Sequence, residues 1–233
     1  FPWYGPLYPI LLFLCVCMIH LYVQGEYYHI FFDLASVSRI IDNSNKRGYT
    51  GSIIHLNGGI SMKLLTVAQL QTRVYAQKET NLSLLDGLFC QAKDAGADMI
   101  CLPEMFSCPY ETPNFPVYAE PSGGPSWQTL SRLAKRYQVY LSAGSVPESD
   151  ENGNVYNTAY VFDREGRQIA KHRKVHLFDI NVKGGQRFKE SDTLTAGDKS
   201  TVFETEFGPM GLCICYDFRF PELARRMVLD GAQ

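Results

Sequence analysis

Three polar residues stand where an α/β sheet presents chemistry. Glu104 follows the apolar run Met99-Ile100-Cys101-Leu102 after a single proline, Pro103. Cys215 closes the run from Met210, just ahead of the turn Tyr216-Asp217-Phe218-Arg219-Phe220 and a helix start at Pro221. Between them Lys171-His172-Arg173-Lys174 supplies cations, and Lys174 is framed by the apolar Val175, Leu177 and Phe178. Ligands of open α/β sheets bind beyond the carboxyl ends of strands. A thiol near a helix N-terminus or a cation is held toward thiolate and is nucleophilic at neutral pH. A nucleophilic thiol, a carboxylate and cations at strand ends together make the case for an enzyme. Each residue alone has a plainer reading: Glu104 as a solvated or capping carboxylate, Cys215 as a packing thiol like its neighbour Cys213, Lys174 as a surface charge. Coincidence accounts for one of these far more easily than for all three.

The elements that must position them alternate strand and helix from Met62 onward. Leu64 to Leu70 reads as a strand. Leu82, Leu85, Phe89 and Ala92 fall on one helical face, with Gly96 as the C-terminal stop. Met99 to Leu102 is all apolar, as a strand buried on both faces would be. A second helix carries Leu130, Leu133, Ala134 and Tyr137 and leads into a strand over Val139 to Val146. Two further strands are expected over Val155 to Asp163 and Arg167 to Lys171, bounded by turns at Asn152-Gly153-Asn154 and Arg164-Glu165-Gly166. Thr201 to Glu206 and Met210 to Cys215 flank Gly208-Pro209, and Pro221 suits the first turn of a closing helix. The class is α/β.

The 233 residues fit one large domain better than two small ones. Lys plus Arg is 22 against 24 for Asp plus Glu, a formal net charge of −2, which argues against nucleic-acid binding through a basic face. Hydrophobic residues at 45% and charged residues at 20% provide for a core and exclude a wholly disordered chain. The seven cysteines, at 15, 17, 90, 101, 108, 213 and 215, form no Cys-x-x-Cys pair, so zinc-finger and disulfide-scaffold readings lose support and a reduced, cytoplasmic setting is expected. Cys90, Cys101 and Cys108 are read as packing thiols, Cys108 being the one expected to be exposed.

A seam falls near Met62. Residues 1–61 begin with Phe1 and carry an apolar run from Ile10 to Val23, too short for the roughly 20 residues of a spanning helix and lacking the preceding basic residues of a signal peptide. No period persists from Glu26 to Ile60, and the stretch ends in turn-like Asn57-Gly58-Gly59. We expect a natural start at Met62, residues 1–61 being a non-native or mistranslated, disordered leader, and no membrane partner.

Leu-Pro-Glu104-Met-Phe, His-Arg-Lys174-Val-His-Leu-Phe-Asp and Gly-Leu-Cys-Ile-Cys215-Tyr-Asp-Phe-Arg-Phe-Pro-Glu resemble the three signature segments of the nitrilase, or carbon–nitrogen hydrolase, superfamily. The resemblance runs over residues 62–233 and implies an α-β-β-α sandwich, here its N-terminal portion. It implies Cys215 as nucleophile, Glu104 as general base and Lys174 as the cation beside the oxyanion, with Glu190 matching a second glutamate close to that triad. No cofactor is implied.

Cys215-Tyr216-Asp217, Ser107-Cys-Pro-Tyr110, the Asn157 segment and His-Leu-Phe-Asp179-Ile resemble the omega-amidase branch. By that resemblance the substrate is a small-molecule ω-amide of a 2-oxo acid such as 2-oxoglutaramate, hydrolysed through a cysteine thioester. Tyr110 and Tyr216 would serve at the substrate, and Arg173 or Arg187 could meet a substrate carboxylate, although surface roles suit both. Deaminated glutathione or an N-carbamoyl compound is the alternative substrate, and a non-catalytic interaction module the alternative class. Family members continue past the nucleophile, whereas this sequence reaches Gln233 within what reads as a helix-to-strand link. The expectation is therefore a longer, homo-oligomeric parent and a 233-residue piece that is poorly folded and inactive by itself.

Other constellations read as bland. His172 and His176, four apart, find only Asp179 as a third metal-ligand type. Gly123-Gly124 and Gly184-Gly185 lack the strand–loop–helix setting of a phosphate site, and Ser142-Ala-Gly144-Ser145 is not a serine elbow.

Overall fold

The computed structural model describes residues 65–232 and, before them, only the backbone of short strands at Phe13–Val16, His20–Val23, Glu26–His29, Val37–Ile41 and Gly51–Leu56, so the expectations for the Asn57 turn and the start at Met62 lie outside the described residues. In chain order from residue 65 the elements are β1 (Leu65–Leu70), α1 (Lys78–Asp94), β2 (Met99–Cys101), α2 (Asn114–Tyr118), β3 (Glu120–Pro121), α3 (Pro125–Tyr137), β4 (Tyr140–Ser142), β5 (Val146–Ser149), β6 (Val155–Phe162), β7 (Gln168–Arg173), β8 (Asp179–Asn181), β9 (Arg187–Lys189), β10 (Val202–Thr205), β11 (Gly208–Ile214) and α4 (Pro221–Leu229). One-turn 3-10 helices span Glu190–Asp192 and Cys215–Arg219.

From residue 65 onward the larger sheet has the order β1-β2-β4-β6-β5-β3, with β7 also paired to β6, and the strand Gly51–Leu56 pairs with the other side of β1. β1, β2 and β4 are parallel, and β6 runs antiparallel to its three neighbours. The smaller sheet pairs β10 and β11 antiparallel. Alternation along the strands divides their side chains between two cores. Ala68 and Ile100 join Leu85, Phe89, Leu130, Leu133 and Phe162 beneath α1 and α3. Val67, Met99, Ala159 and Val161 face the other way and pack on Met210, Leu212 and Ile214 of the smaller sheet. On that sheet's outer face Cys213 meets Leu223 and Met227 of α4. The layers are helices, sheet, sheet, helix: an α-β-β-α sandwich.

Helix α1 ends as its sequence predicts, with Gly96 at φ +86° and its N–H bonded to the Lys93 carbonyl. Phe89 is fully buried against Tyr137 of α3, and truncating so large a core side chain to alanine costs about 3–5 kcal/mol. Pro221 occupies the first turn of α4.

Two expectations about strands are corrected. Val139 to Val146 is not one strand: β4 stops at Ser142 and β5 starts at Val146. Gly144 between them has φ +50°, and a Cβ there would lie 2.3 Å from the Pro103 carbonyl oxygen, so the break is what lets the chain around Glu104 approach. The strand expected over Arg167 to Lys171 runs instead from Gln168 through Arg173. The basic segment is therefore largely pleated, and its side chains alternate between faces.

Candidate active site

Glu104 sits three residues beyond the carboxyl end of β2 on an elbow braced by its neighbours. The Leu102 N–H donates to the Ser142 carbonyl (3.0 Å), and the Met105 N–H donates to Ser145 Oγ (3.0 Å). Met105 adopts φ +51°, a left-handed conformation that a side chain of its size rarely takes. Lys174 follows β7 directly. Its N–H donates to the Asn157 carbonyl and its own carbonyl accepts from the Gly197 N–H, each at 2.8 Å. Glu190 opens the 3-10 turn after β9, and its Oε2 accepts the Phe178 N–H at 2.6 Å. Cys215 opens the turn after β11 at φ +47°, a second strained position at the end of a strand.

These placements bring the expected residues together. Lys174 Nζ lies 2.8 Å from Glu104 Oε1 and 3.0 Å from Glu190, with none of the lysine side chain exposed. Tyr110 donates its hydroxyl to Glu190 Oε1 at 2.5 Å and, more weakly, to Glu104 Oε1 at 3.4 Å. Its ring stacks on Phe188 at 5.4 Å between centroids. Half-buried Cys215 adjoins this cluster, interacting electrostatically with both Lys174 and Tyr110. Tyr216 packs edge-on against Phe178 (5.1 Å) and Phe220 (5.3 Å), at the rim of the same region.

The charge balance is two carboxylates to one ammonium. Burial pulls the Lys174 pKa down, but Glu104, Glu190 and Cys215 outweigh it and the ammonium is held above its ordinary value. Glu190 is pushed up by burial and by Glu104, against the pull of Lys174. Burial, then the two carboxylates, push the Tyr110 phenol far up, so it remains a donor. The arrangement presents a fixed cation, a spare carboxylate and a thiol in one buried region, as a proton-transfer site requires.

Asp217 is a buried hub that sequence reasoning passed over. Its Oδ2 meets His172 Nε2 (3.1 Å) and the Ile214 N–H (3.1 Å), while Oδ1 meets the His176 N–H (2.8 Å), His176 Nδ1 (2.9 Å) and the Val175 N–H (3.2 Å). The cysteine turn is thereby clasped to the segment bearing Lys174. Although burial opposes it, these donors hold the Asp217 carboxyl below its ordinary value. His172 and His176 are thus partners of one carboxylate, and among the described residues no cluster fit for a metal ion occurs. The usable signal was Asp217 two residues past the cysteine; the pairing itself is tertiary.

Other candidates fall elsewhere. Arg173 pairs with Glu148 (2.5 Å) and lies 3.6 Å over the Tyr156 ring, whereas Arg187 pairs with Asp192 (3.0 Å) with 60% of its side chain exposed. Cys108 is buried, contrary to expectation, and among the described residues Cys90 on α1 is the exposed thiol. Cys108 lies in the loop core with Met105 and Phe115, and burial pushes its thiol, like that of Cys101, up to about 12.

The carbon–nitrogen hydrolase family profile matches residues 64–233. The chain belongs to the carbon–nitrogen hydrolase family. It is 45% identical over 172 residues to the Bos taurus protein named omega-amidase NIT2, covering 74% of this chain and 62% of that protein. A Schizosaccharomyces pombe protein described as a hydrolase is 51% identical over 156 residues, 66% of this chain and 48% of its own. The structure of Saccharomyces cerevisiae Nit3, described as a member of branch 10 of the nitrilase superfamily, superposes with a TM-score of 0.61 at 37% identity, over 68% of this chain and 58% of that one. The chain thus spans about half to under two thirds of the length of these relatives. An amidase from Nesterenkonia, 24% identical with a TM-score of 0.62, shares the fold. Among the described residues no helix is long and apolar enough to cross a membrane.

Proposed function

We propose that the protein is an amidohydrolase that cleaves the ω-amide of a 2-oxo acid to carboxylate and ammonia through a thioester on Cys215. The observation that carries this reading is the Lys174 ammonium held between Glu104 and Glu190 beside Cys215. The 45% identity to a protein named omega-amidase supports the choice of substrate class.

In this reading Cys215 Sγ attacks the amide carbon while Glu104 takes the thiol proton. The oxyanion forms against Lys174 Nζ and the Tyr216 N–H, which stands at the start of a helical turn where N–H groups have no partner within it. Collapse breaks the C–N bond, Glu104 returns the proton to nitrogen, and ammonia leaves. Water then gives a proton to Glu104 and attacks the thioester; collapse breaks the C–S bond, Glu104 returns that proton to the departing sulfur, and the acid leaves as carboxylate with its proton lost to solvent. Glu190 anchors Lys174 and Tyr110, and the rings of Tyr110 and Tyr216 flank the substrate. The left-handed Cys215 and Met105 are positions where backbone strain serves placement of reacting groups.

Ammonia release from 2-oxoglutaramate tests the reading. Turnover that Cys215→Ala abolishes is the expected result. A protein inert on that substrate yet fast on deaminated glutathione or an N-carbamoyl compound would refute the substrate class, and unchanged turnover in Cys215→Ala would refute the mechanism.

A further inference from the structure

We propose that Asn157 is a positioning residue that aims the Glu104 carboxylate and ties it to Lys174. The inference rests on reading Glu104 as the base and Cys215 as the nucleophile. Asn157 Nδ2 donates to Glu104 Oε1 at 2.8 Å, and the Asn157 carbonyl accepts the Lys174 N–H at 2.8 Å. One residue thus bonds the side chain of one partner and the main chain of the other. It does so from β6, whose eight residues are all buried and which is paired to β4, β5 and β7, so its position is rigid.

The residue type is costly where it stands. Asn157 shares a strand face with Ala159 and Val161, which lie in the apolar core between the sheets. Asparagine is disfavoured in strands, and here its Oδ1 is buried with no hydrogen-bond partner. An apolar residue would pack there without that loss. What it would lack is the Nδ2 donor.

The three donors to Glu104, from Lys174, Asn157 and Tyr110, all end on Oε1. Among the described residues none reaches Oε2. The carboxylate is therefore gripped through one oxygen, and the other is left for the thiol proton. Asn157 is, with Tyr110, a neutral member of this grip and the nearer of the two, at 2.8 Å against 3.4 Å, so it fixes the carboxylate without adding a second cation.

The test is the pH dependence of Cys215 alkylation by iodoacetamide in the full chain, followed at the Cys215 peptide by mass spectrometry. Asn157→Leu removes the donor, and Asn157→Asp sets a like charge beside Glu104. Both should move the acid limb of the profile to higher pH, Asn157→Asp further, by about one unit or roughly tenfold in rate at a pH on the limb. In a Glu104→Gln background Asn157→Leu should add nothing, the non-additivity expected of residues acting as one unit. If Glu104→Gln alone leaves the profile unchanged, the reading of the site fails. If Glu104→Gln alters it but Asn157→Leu does not, or if the two effects simply add, Asn157 is only a packing residue. Circular dichroism identifies a misfolded variant, and the conservative Asn157→Asp then carries the test.

Discussion

Glu148 and Glu104 are both buried carboxylates that draw on the same basic segment, with opposite stoichiometry. Pleating separates the segment: Lys171 and Arg173 turn to Glu148, while His172 and Lys174 turn between the sheets to Asp217 and to the Glu104–Glu190 pair. At Glu148 two cations and the Tyr160 hydroxyl converge on one carboxylate, and they outweigh burial to hold it below its ordinary value. At the other site two carboxylates share one cation, and Glu190 is pushed up instead. A surplus of donors locks a carboxylate into its charged form and so makes a strut. A surplus of carboxylates leaves one able to take a proton. The same residue types, one strand position apart, thus give a structural ion cluster and a candidate reaction centre.

Removing the shared cation should break the contrast most severely. Lys174→Met leaves two carboxylates buried together; stability should fall by about 3–5 kcal/mol in chemical denaturation, and amide turnover should vanish. Glu148→Gln is the converse. It should cost about 1–3 kcal/mol, at the low end because Lys171 and Arg173 are about one-third exposed and can turn to water, while the folded fraction retains its turnover. Comparable loss of turnover in both variants would dissolve the distinction.

A third substitution sharpens it through pH. The Asp217 carboxyl is held below its ordinary 3.8, so its contribution to stability is present above that value and is lost as pH falls through the lowered one. Asp217→Asn should therefore melt below the parent at neutral pH, with the difference closing in acid. A difference that stayed constant with pH would remove the charge of Asp217 from the account. The smallest effect is expected at Arg187→Ala, an exposed pair with Asp192 whose loss should leave the melting temperature within error.

Much of this was legible in the sequence because it depends on local pattern. The helical face of Leu85 and Phe89, the stop at Gly96 and the placement of Glu104, Lys174 and Cys215 at strand ends follow from periodicity and turn chemistry. What escaped depends on distant partners. Gly144 ends β4 because the Pro103 carbonyl comes close, and that carbonyl belongs to another strand's loop. Cys108 is buried because α2 delivers Phe115 beside it, whereas Cys90 lies on the outward face of α1. Glu104, the partner of Asn157, lies 53 residues away, and His172, a partner of Asp217, lies 45 away, so neither pairing was legible locally.

The central claim is that Cys215, Glu104 and Lys174 act on one scissile bond. Intact-protein mass spectrometry after rapid acid quench of the full chain with 2-oxoglutaramate tests it most directly. The account predicts an acyl adduct on the Cys215 peptide that is absent in Cys215→Ala and fails to form in Lys174→Met. Ammonia release with no adduct at Cys215, continuing in Cys215→Ala, would contradict it.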